Sequence, residues 1–366
     1  MDGDVVLVIV VATALVFDFT NGFHDTANVV ATSISTHALS PRVAVGMAAL
    51  LNFAGAFISI EVAATIASDV VDAAAITPTV IFAGLVGAIS WNLITWYFGL
   101  PSSSSHALIG GVVGAVIAAV GTSAVEGAGI LGKVLIPAIV APVVAFVIGA
   151  IAIIIAYRIC ARLRPGPVTR GFRLGQIVSG GMLALAHGTN DAQKTMGVIT
   201  LALIANGNLP STGFHIPTWV IVASASAIAL GTYTGGWRII RTMGTRIIKM
   251  DSAQGFSAQG AGAAVILASS HFGFPLSTTQ VIAGGVMGSG AGVRLSAVRW
   301  GVAGNIVAAW FLTLPAAAAI GAASYAFTSI FGDGAAGPLI LSVLAIMLGL
   351  TLFARRIRQG QPVPTV

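Results

Sequence analysis

A chain of 366 residues in which 57% are hydrophobic and 8% charged has too little polar surface to be a water-soluble globule. Its net charge of +6 falls in short clusters beside apolar runs, which suits orientation in a membrane and argues against nucleic-acid binding. One cysteine, Cys160, excludes an intrachain disulfide and any cysteine-built metal cluster, and reads as an inert thiol near a helix end.

Taken in order, apolar stretches long enough to span a bilayer, or nearly so, occupy 4–17, 43–66, 79–98, 105–120, 134–157, 174–186, 195–205, 217–237, 261–272, 278–293, 300–325 and 337–354. They predict an all-α polytopic membrane protein of about 10–12 helical segments. Asp2 and Asp4 stand where a removable signal peptide carries basic residues, so the first stretch is expected to be the first membrane element. It leads into Asn21-Gly22-Phe23-His24-Asp25-Thr26-Ala27-Asn28, and a related motif returns as His187-Gly188-Thr189-Asn190-Asp191-Ala192-Gln193-Lys194, with Asp191 lying 166 residues after Asp25. A carboxylate buried in a bilayer is costly, so the default reading of each is a functional site. On this view 4–36 and 174–206 are interrupted helices that each cross once.

A second motif repeats in the same order. Gly99-Leu100-Pro101-Ser102-Ser103-Ser104-Ser105-His106, followed by Gly110, Gly111 and Gly114, matches Gly273-Phe274-Pro275-Leu276-Ser277-Thr278-Thr279-Gln280, followed by Gly284, Gly285 and Gly288, at an offset of 174. Two matched motifs indicate duplication. They divide the chain into a first membrane repeat (1–157), a basic cytoplasmic linker (158–173), a second repeat (174–325) and a C-terminal helix and tail (326–366). The basic residues thread it: Arg158, Arg162, Arg164, Arg170 and Arg173 mark one loop, Arg238, Arg241, Arg246 and Lys249 a second, and Arg355, Arg356 and Arg358 the tail. If each Pro-Ser segment is a hairpin returning to its own side, these and Arg42, Arg294 and Arg299 are cytoplasmic, with Lys133 outside and Lys194 within the membrane. The N-terminus, Asp69, Asp72 and Glu126 are then outside and the C-terminus is cytoplasmic. Each half crosses an odd number of times, so the two repeats are expected to be inverted, with a site near the midplane where they meet.

The Pro-Ser segments are expected to break the helix, because proline cannot continue it and Ser or Thr caps the next one. A helix start with free amides and hydroxyls favours anions. The competing structural reading is that these hydroxyls bond their own turn, or that the small residues merely let helices approach; the glycines that follow are read as packing residues. In the Asp motifs, Asp25, Asn28 and Thr32 share one face of a helical continuation, and Asp191 and Lys194 have the same i,i+3 spacing. Lys194 and Asp191 could simply neutralise each other. Asp25 has no such cation, and Asp18 lies in the same stretch without an obvious partner, so these carboxylates need protons, metal cations or a basic group from the other half. His24 and His187 are either titrating groups or hydrogen-bonded packing residues, while His106 sits inside a segment expected to face an anion. His37, His215 and His271 are given no role.

Together the four motifs resemble those of the inorganic phosphate transporter family, and their wording is most similar to its low-affinity bacterial phosphate transport branch. The resemblance covers nearly the whole chain. The broader family carries Gly-x-Asn-Asp-x-Ala-Asn in both halves; here His24 replaces an Asn in the first copy, and Gln193 and Lys194 replace Ala-Asn in the second. The sodium-coupling sites of other branches are therefore not carried over directly. What the resemblance implies is a homodimeric, proton-coupled symporter that takes phosphate as a neutral complex with a divalent metal, with no permanently bound cofactor and no enzymatic activity. Its charge requirement agrees: Asp25 and Asp191 face an anionic substrate and Lys194 offsets only one charge, so cations must accompany it. Phosphate ligands are expected from Ser103, Ser104, Ser105, Ser277, Thr278, Thr279 and Lys194. Asp25, Asn28, Asp191 and Asn190 are expected to hold the coupling cation, proton or sodium, and orient the site, with Asp25 and Asp191 touching the metal. Asp18, His24 and His106 are candidates for a proton or charge relay. Sodium coupling, transport of another oxyanion such as sulfate, an anion channel, and an intramembrane hydrolase using Ser105 beside His106 remain as alternatives.

Overall fold

The computed structural model describes residues 2–72, 75–210, 214–332 and 334–358, with side chains from residue 3 to residue 351. The side chains of Arg355, Arg356 and Arg358 and the tail beyond 358 lie outside the described residues.

A backbone in hydrocarbon must satisfy its polar groups internally, and this one does so in helices. The first half contains α1 (Asp2–Ser35), α2 (Pro41–Gly55), α3 (Glu61–Ser68), α4 (Pro78–Phe98), α5 (Ser104–Val120) and a three-residue α6 (Gly127–Gly129), which runs through a π-helical stretch (Ile130–Leu135) into α7 (Ile136–Cys160). The second contains α8 (Pro165–Ala205), α9 (Thr218–Thr234), α10 (Trp237–Arg241), α11 (Ser252–His271), α12 (Thr278–Ala291) and α13 (Trp300–Ser329), and α14 (Ala336–Arg358) follows. Proline opens α2, α4 and α8, where its missing N–H costs nothing. Among the described residues there is no strand, only an isolated bridge between Val71 and Val125. Among the described residues, four spans are long and apolar enough to cross a membrane (Gly3–Ser35, Pro78–Phe98, Gly127–Cys160 and Trp300–Ser329), and a fifth if α9 and the segment Trp237–Arg246, bent by 60°, are one.

Helix boundaries differ from the expected ones. Helices α1 and α8 run unbroken through their Asp motifs instead of being interrupted there. Neither motif contains proline, and much of its polar equipment bonds to other helices, so little competes with the helical backbone. Their glycines serve close approach: a Cβ at Gly22 would meet the α9 backbone at Ile228 and Thr232, and one at Gly188 the α2 backbone at Asn52. The stretch 43–66 is two helices parted at 56–60, and the basic stretch 158–173 is largely the end of α7 and the first turns of α8.

Packing partners exchange between the halves. Helix α1 lies on α9 and α10, while α8 lies on α2 and α3; α5 lies on α13, and α12 on α7. At matched places Gly110 and Gly114 meet Leu314 and Ala318, and Gly284 and Gly288 meet Pro142 and Phe146, so these glycines do serve packing. The corresponding helices α1 and α8 are antiparallel: Gly3 lies beside Asn206, and at the other end Thr36 Oγ1 donates to Gln176 Oε1 at 2.9 Å. The first of these ends also gathers Asp69, beside Gly129, and Asp72, whose N–H donates to Ala124 O. At the second, Tyr157 donates to Asp251, and Arg299 reaches the carbonyls of Thr245 and Arg246.

The two Pro-Ser segments break the chain as expected. Gly99 (φ 66°) and Gly273 (φ 72°) adopt the left-handed conformation that ends the preceding helix. Ser103 then caps α5 by accepting the His106 N–H at 3.1 Å, and Ser277 caps α12 by accepting the Gln280 N–H at 3.3 Å.

Candidate functional site

Those two caps aim the starts of α5 and α12 at one another. Ser105 Oγ donates across the gap to Leu276 O at 2.8 Å, and His106 Nδ1 lies 3.4 Å from Gln280 Nε2. His106 and Gln280 hold equal places in the two repeats, so their contact marks where the halves meet. The amides of Ser104, Ser105, Thr278 and Thr279 belong to first helical turns and have no intrahelical acceptor. Two helix N-termini thus present N–H groups and hydroxyls to one buried region, an arrangement suited to an anion.

The Asp motifs arrive at the same region from α1 and α8. Asp25 Oδ2 accepts from Ser104 Oγ at 2.7 Å, while Oδ1 accepts from Thr279 Oγ1 at 3.2 Å and lies 2.6 Å from His24 Nδ1. The other ring nitrogen of His24 lies 3.2 Å from Thr95 Oγ1. Asn28 Nδ2 donates to Thr279 Oγ1 at 2.8 Å. From α8, Asp191 Oδ1 accepts from Lys194 Nζ at 2.6 Å, and that ammonium also donates to Ser105 Oγ (2.5 Å) and Leu276 O (2.8 Å). Asp191 Oδ2 lies 3.2 Å from His187 Nε2 and has longer contacts from Thr278 Oγ1 (3.4 Å) and Asn21 Nδ2 (3.5 Å). Asn190 Nδ2 donates to Ser270 Oγ and Phe274 O. Both Asp25 and Asp191 are therefore in contact with both Pro-Ser starts, directly or through Lys194, and all of these side chains are buried.

His187 is the site residue that sequence reasoning left undecided. It lies four residues before Asp191, one helical turn, and that spacing was the available signal. Asn52 Nδ2 donates to Thr232 Oγ1 at 2.8 Å, so its Oδ1 is the atom that receives the His187 Nδ1–H at 3.2 Å. Nε2 then lies 3.2 Å from Asp191 Oδ2, meeting that oxygen as an N–H on a protonated ring or as a lone pair across a shared cation. Ligand atoms of Asp25, His187 and Asp191 lie within 4.8 Å of one another, close enough to share one cation. A backing bond on the far ring nitrogen is how metal-binding imidazoles are held. The Oδ1 atoms of Asn28 and Asn190 are also buried and unpartnered, offering neutral oxygens to a cation.

Other expected residues do different work. Ser103 and Ser277 use an oxygen lone pair on their own helices, so the capping reading holds for them, whereas Ser104, Ser105, Thr278 and Thr279 reach across. Gln193 caps α3: its Oε1 accepts from Val62 N and Ala63 N at 2.8 and 3.2 Å. His106 faces Gln280 instead of Ser105, whose hydroxyl donates to Leu276 O, so the nucleophile–base pair of a hydrolase is not formed. Asp18 lies outside the hydrogen-bonded cluster, with Asn21 and Thr195 beside it.

The sequence pattern described as "Phosphate transporter family" matches residues 21–321. A Mycobacterium bovis protein named "Probable low-affinity inorganic phosphate transporter" is 55% identical over 326 residues, 89% of this chain and 78% of its own. One of the same name from Rhizobium meliloti is 48% identical over 320 residues, 87% and 95%. The solved structure entitled "The sodium-dependent phosphate transporter" is similar with a TM-score of 0.79 at 25% identity, over 87% of this chain and 98% of that one.

Proposed function

The chain belongs to the phosphate transporter family, and on that premise we propose that it is a secondary active symporter. It moves inorganic phosphate, carried with a divalent metal, across the cell membrane by alternating access coupled to protons. The observation that carries this reading is the convergence of two buried carboxylates, one imidazole and two helix starts on one region. A bare phosphate there would face Asp25 and Asp191 with Lys194 as the one ammonium already bonded to Asp191, so a divalent cation bridging carboxylate and phosphate oxygen supplies the missing charge.

In this mechanism the hydroxyls of Ser104, Ser105, Thr278 and Thr279, with the amides of the starts that Ser103 and Ser277 cap, ligate phosphate. Asp25, Asp191 and His187 hold the metal, Asn28 and Asn190 orient the cation side, and Lys194 balances charge. We read the halves as an inverted repeat that rocks about this site, a reading supported by the antiparallel α1 and α8 and by the exchanged packing. The grouping of Asp69 and Asp72 at one end and of Arg246 and Arg299 at the other supports an outside N-terminus and a cytoplasmic C-terminus. The protein is taken to act as a homodimer.

Sodium coupling is the second reading, favoured by the fold shared with a transporter whose title calls it sodium-dependent. Uptake of labelled phosphate by proteoliposomes in a matrix of pH, sodium and divalent metal separates the two. Proton-driven uptake that needs a divalent ion is expected; uptake driven by sodium alone at fixed pH selects the second reading. Asp25→Asn and Asp191→Asn are each expected to lower uptake by about tenfold or more, and retained uptake in either variant would sink the site assignment. Sulfate competing equally with phosphate would widen the substrate to oxyanions.

A further inference from the structure

Asp18 lies on α1 seven residues before Asp25, two helical turns toward the N-terminal end and on the same face. It is 0% exposed, and neither carboxylate oxygen has a hydrogen-bond partner among the described residues. Two neighbours that it faces are unpartnered as well: Oδ1 of Asn21, one turn along α1, and Oγ1 of Thr195 on α8. The charges acting on it are Asp191 and Lys194, also on α8 and of opposite sign, and the Lys194 ammonium is occupied by Asp191, Ser105 and Leu276. Helices α4 and α9, which also pack on α1, contain no acidic or basic residue. On α1 itself the next charged group is Asp25, which is paired with His24.

Only the neutral acid satisfies all three orphaned groups at once. As an anion, Asp18 can draw on the Thr195 hydroxyl and the Asn21 amide N–H, but it leaves Asn21 Oδ1 without a donor in a buried place. As a neutral acid, its O–H has Asn21 Oδ1 to donate to, and its carbonyl oxygen has the Thr195 hydroxyl to receive. A sodium ion suits the place less well. Sodium sites in transporters draw on unwound backbone carbonyls, and α1 and α8 are both continuous here, which leaves only the side-chain oxygens of Asp18, Asn21 and Thr195. We propose that Asp18 is the coupling-proton site: it accepts a proton from water reaching it from the N-terminal end of α1 and releases it to the opposite side once per transport cycle. No bond other than that O–H forms or breaks. This rests on the symport reading above.

The test uses the full-length protein in proteoliposomes and compares two measurements on Asp18→Asn. Asparagine keeps the shape of the neutral acid, donating to Asn21 and accepting from Thr195. Exchange of internal for labelled external phosphate, with its divalent metal, needs no proton turnover and is expected to stay within about threefold of the native rate, while net uptake driven by a proton gradient falls about tenfold or more. Equal loss of both measurements, or retention of gradient-driven uptake, would overturn the proposal. Asp18→Glu is expected to keep net uptake, and Thr195→Val, should Asp18→Asn fail to fold, to shift the pH of half-maximal net uptake; an unchanged pH profile in Thr195→Val counts against it. Native protein that transports phosphate but ignores the proton gradient would instead remove the symport reading, a result recognisable before any variant is made.

Discussion

Replacing Lys194 by Met tests the balance of charge at the centre of the protein. The variant removes three bonds made by one ammonium, at 2.6 Å to Asp191, 2.5 Å to Ser105 and 2.8 Å to Leu276 O. It leaves Asp191 fully buried with His187 Nε2 at 3.2 Å, Thr278 at 3.4 Å and Asn21 at 3.5 Å, none of which replaces the close bond of the ammonium. Removing one member of a buried ion pair costs about 3–5 kcal/mol. Converted at 1.36 kcal/mol per decade, the lower figure alone is roughly a hundredfold in the ratio of folded to unfolded protein. The double variant Lys194→Met with Asp191→Asn deletes both charges and should regain all but about 1 kcal/mol. The assay is the fraction of protein that remains monodisperse in detergent after stepwise heating, paired with phosphate uptake after reconstitution. The expected pattern is an unstable single variant, a stable double variant and no transport by either. A single variant as stable as the native protein would refute the ion-pair argument, and a transporting double variant would remove both residues from the site.

Two further outcomes follow from other contacts. Asn52→Leu takes away the acceptor of the His187 Nδ1–H, so the ring is no longer held with Nε2 toward Asp191; the divalent-ion concentration for half-maximal uptake should rise about 10–100-fold, and an unchanged metal titration would show that His187 is not a ligand. Gly114→Ala and Gly288→Ala each drive a methyl group into the backbone of a facing helix, at Ala318 and Phe146 respectively. Each should cost about 1–3 kcal/mol, read as earlier loss of folded protein on heating; equal tolerance of alanine at either place would mean that the helices are free to move apart.

Much of this site was legible because duplication makes sequence signals check one another. The pairing of Asp25 with Asp191 and of Ser104–Ser105 with Thr278–Thr279 needed only matched order, and the structure brings all of them together. The continuity of α1 and α8 was not legible. Polar residues in an apolar run look like a break, and only the distant partners, such as Thr279 Oγ1 for Asn28 and Ser270 Oγ for Asn190, show why the helix persists. Asn52 and Thr232, which orient His187, lie 180 residues apart, and no local pattern announces such a contact. The division of labour between Ser103 and Ser104, adjacent and chemically identical, depends on which falls at the cap, a boundary that composition does not resolve.

The exchange of packing partners has a mechanical consequence. Because α1 closes against α9 and α8 against α2, the seam between sequence repeats is not a seam along which the molecule can slide. Any body that rocks as a unit must be assembled from both halves of the chain. A cut in the turn at 161–164 would yield two fragments, each with its motif helix deprived of the surface that shields it, so neither fragment is a working half-transporter and the two recover one only by folding around each other.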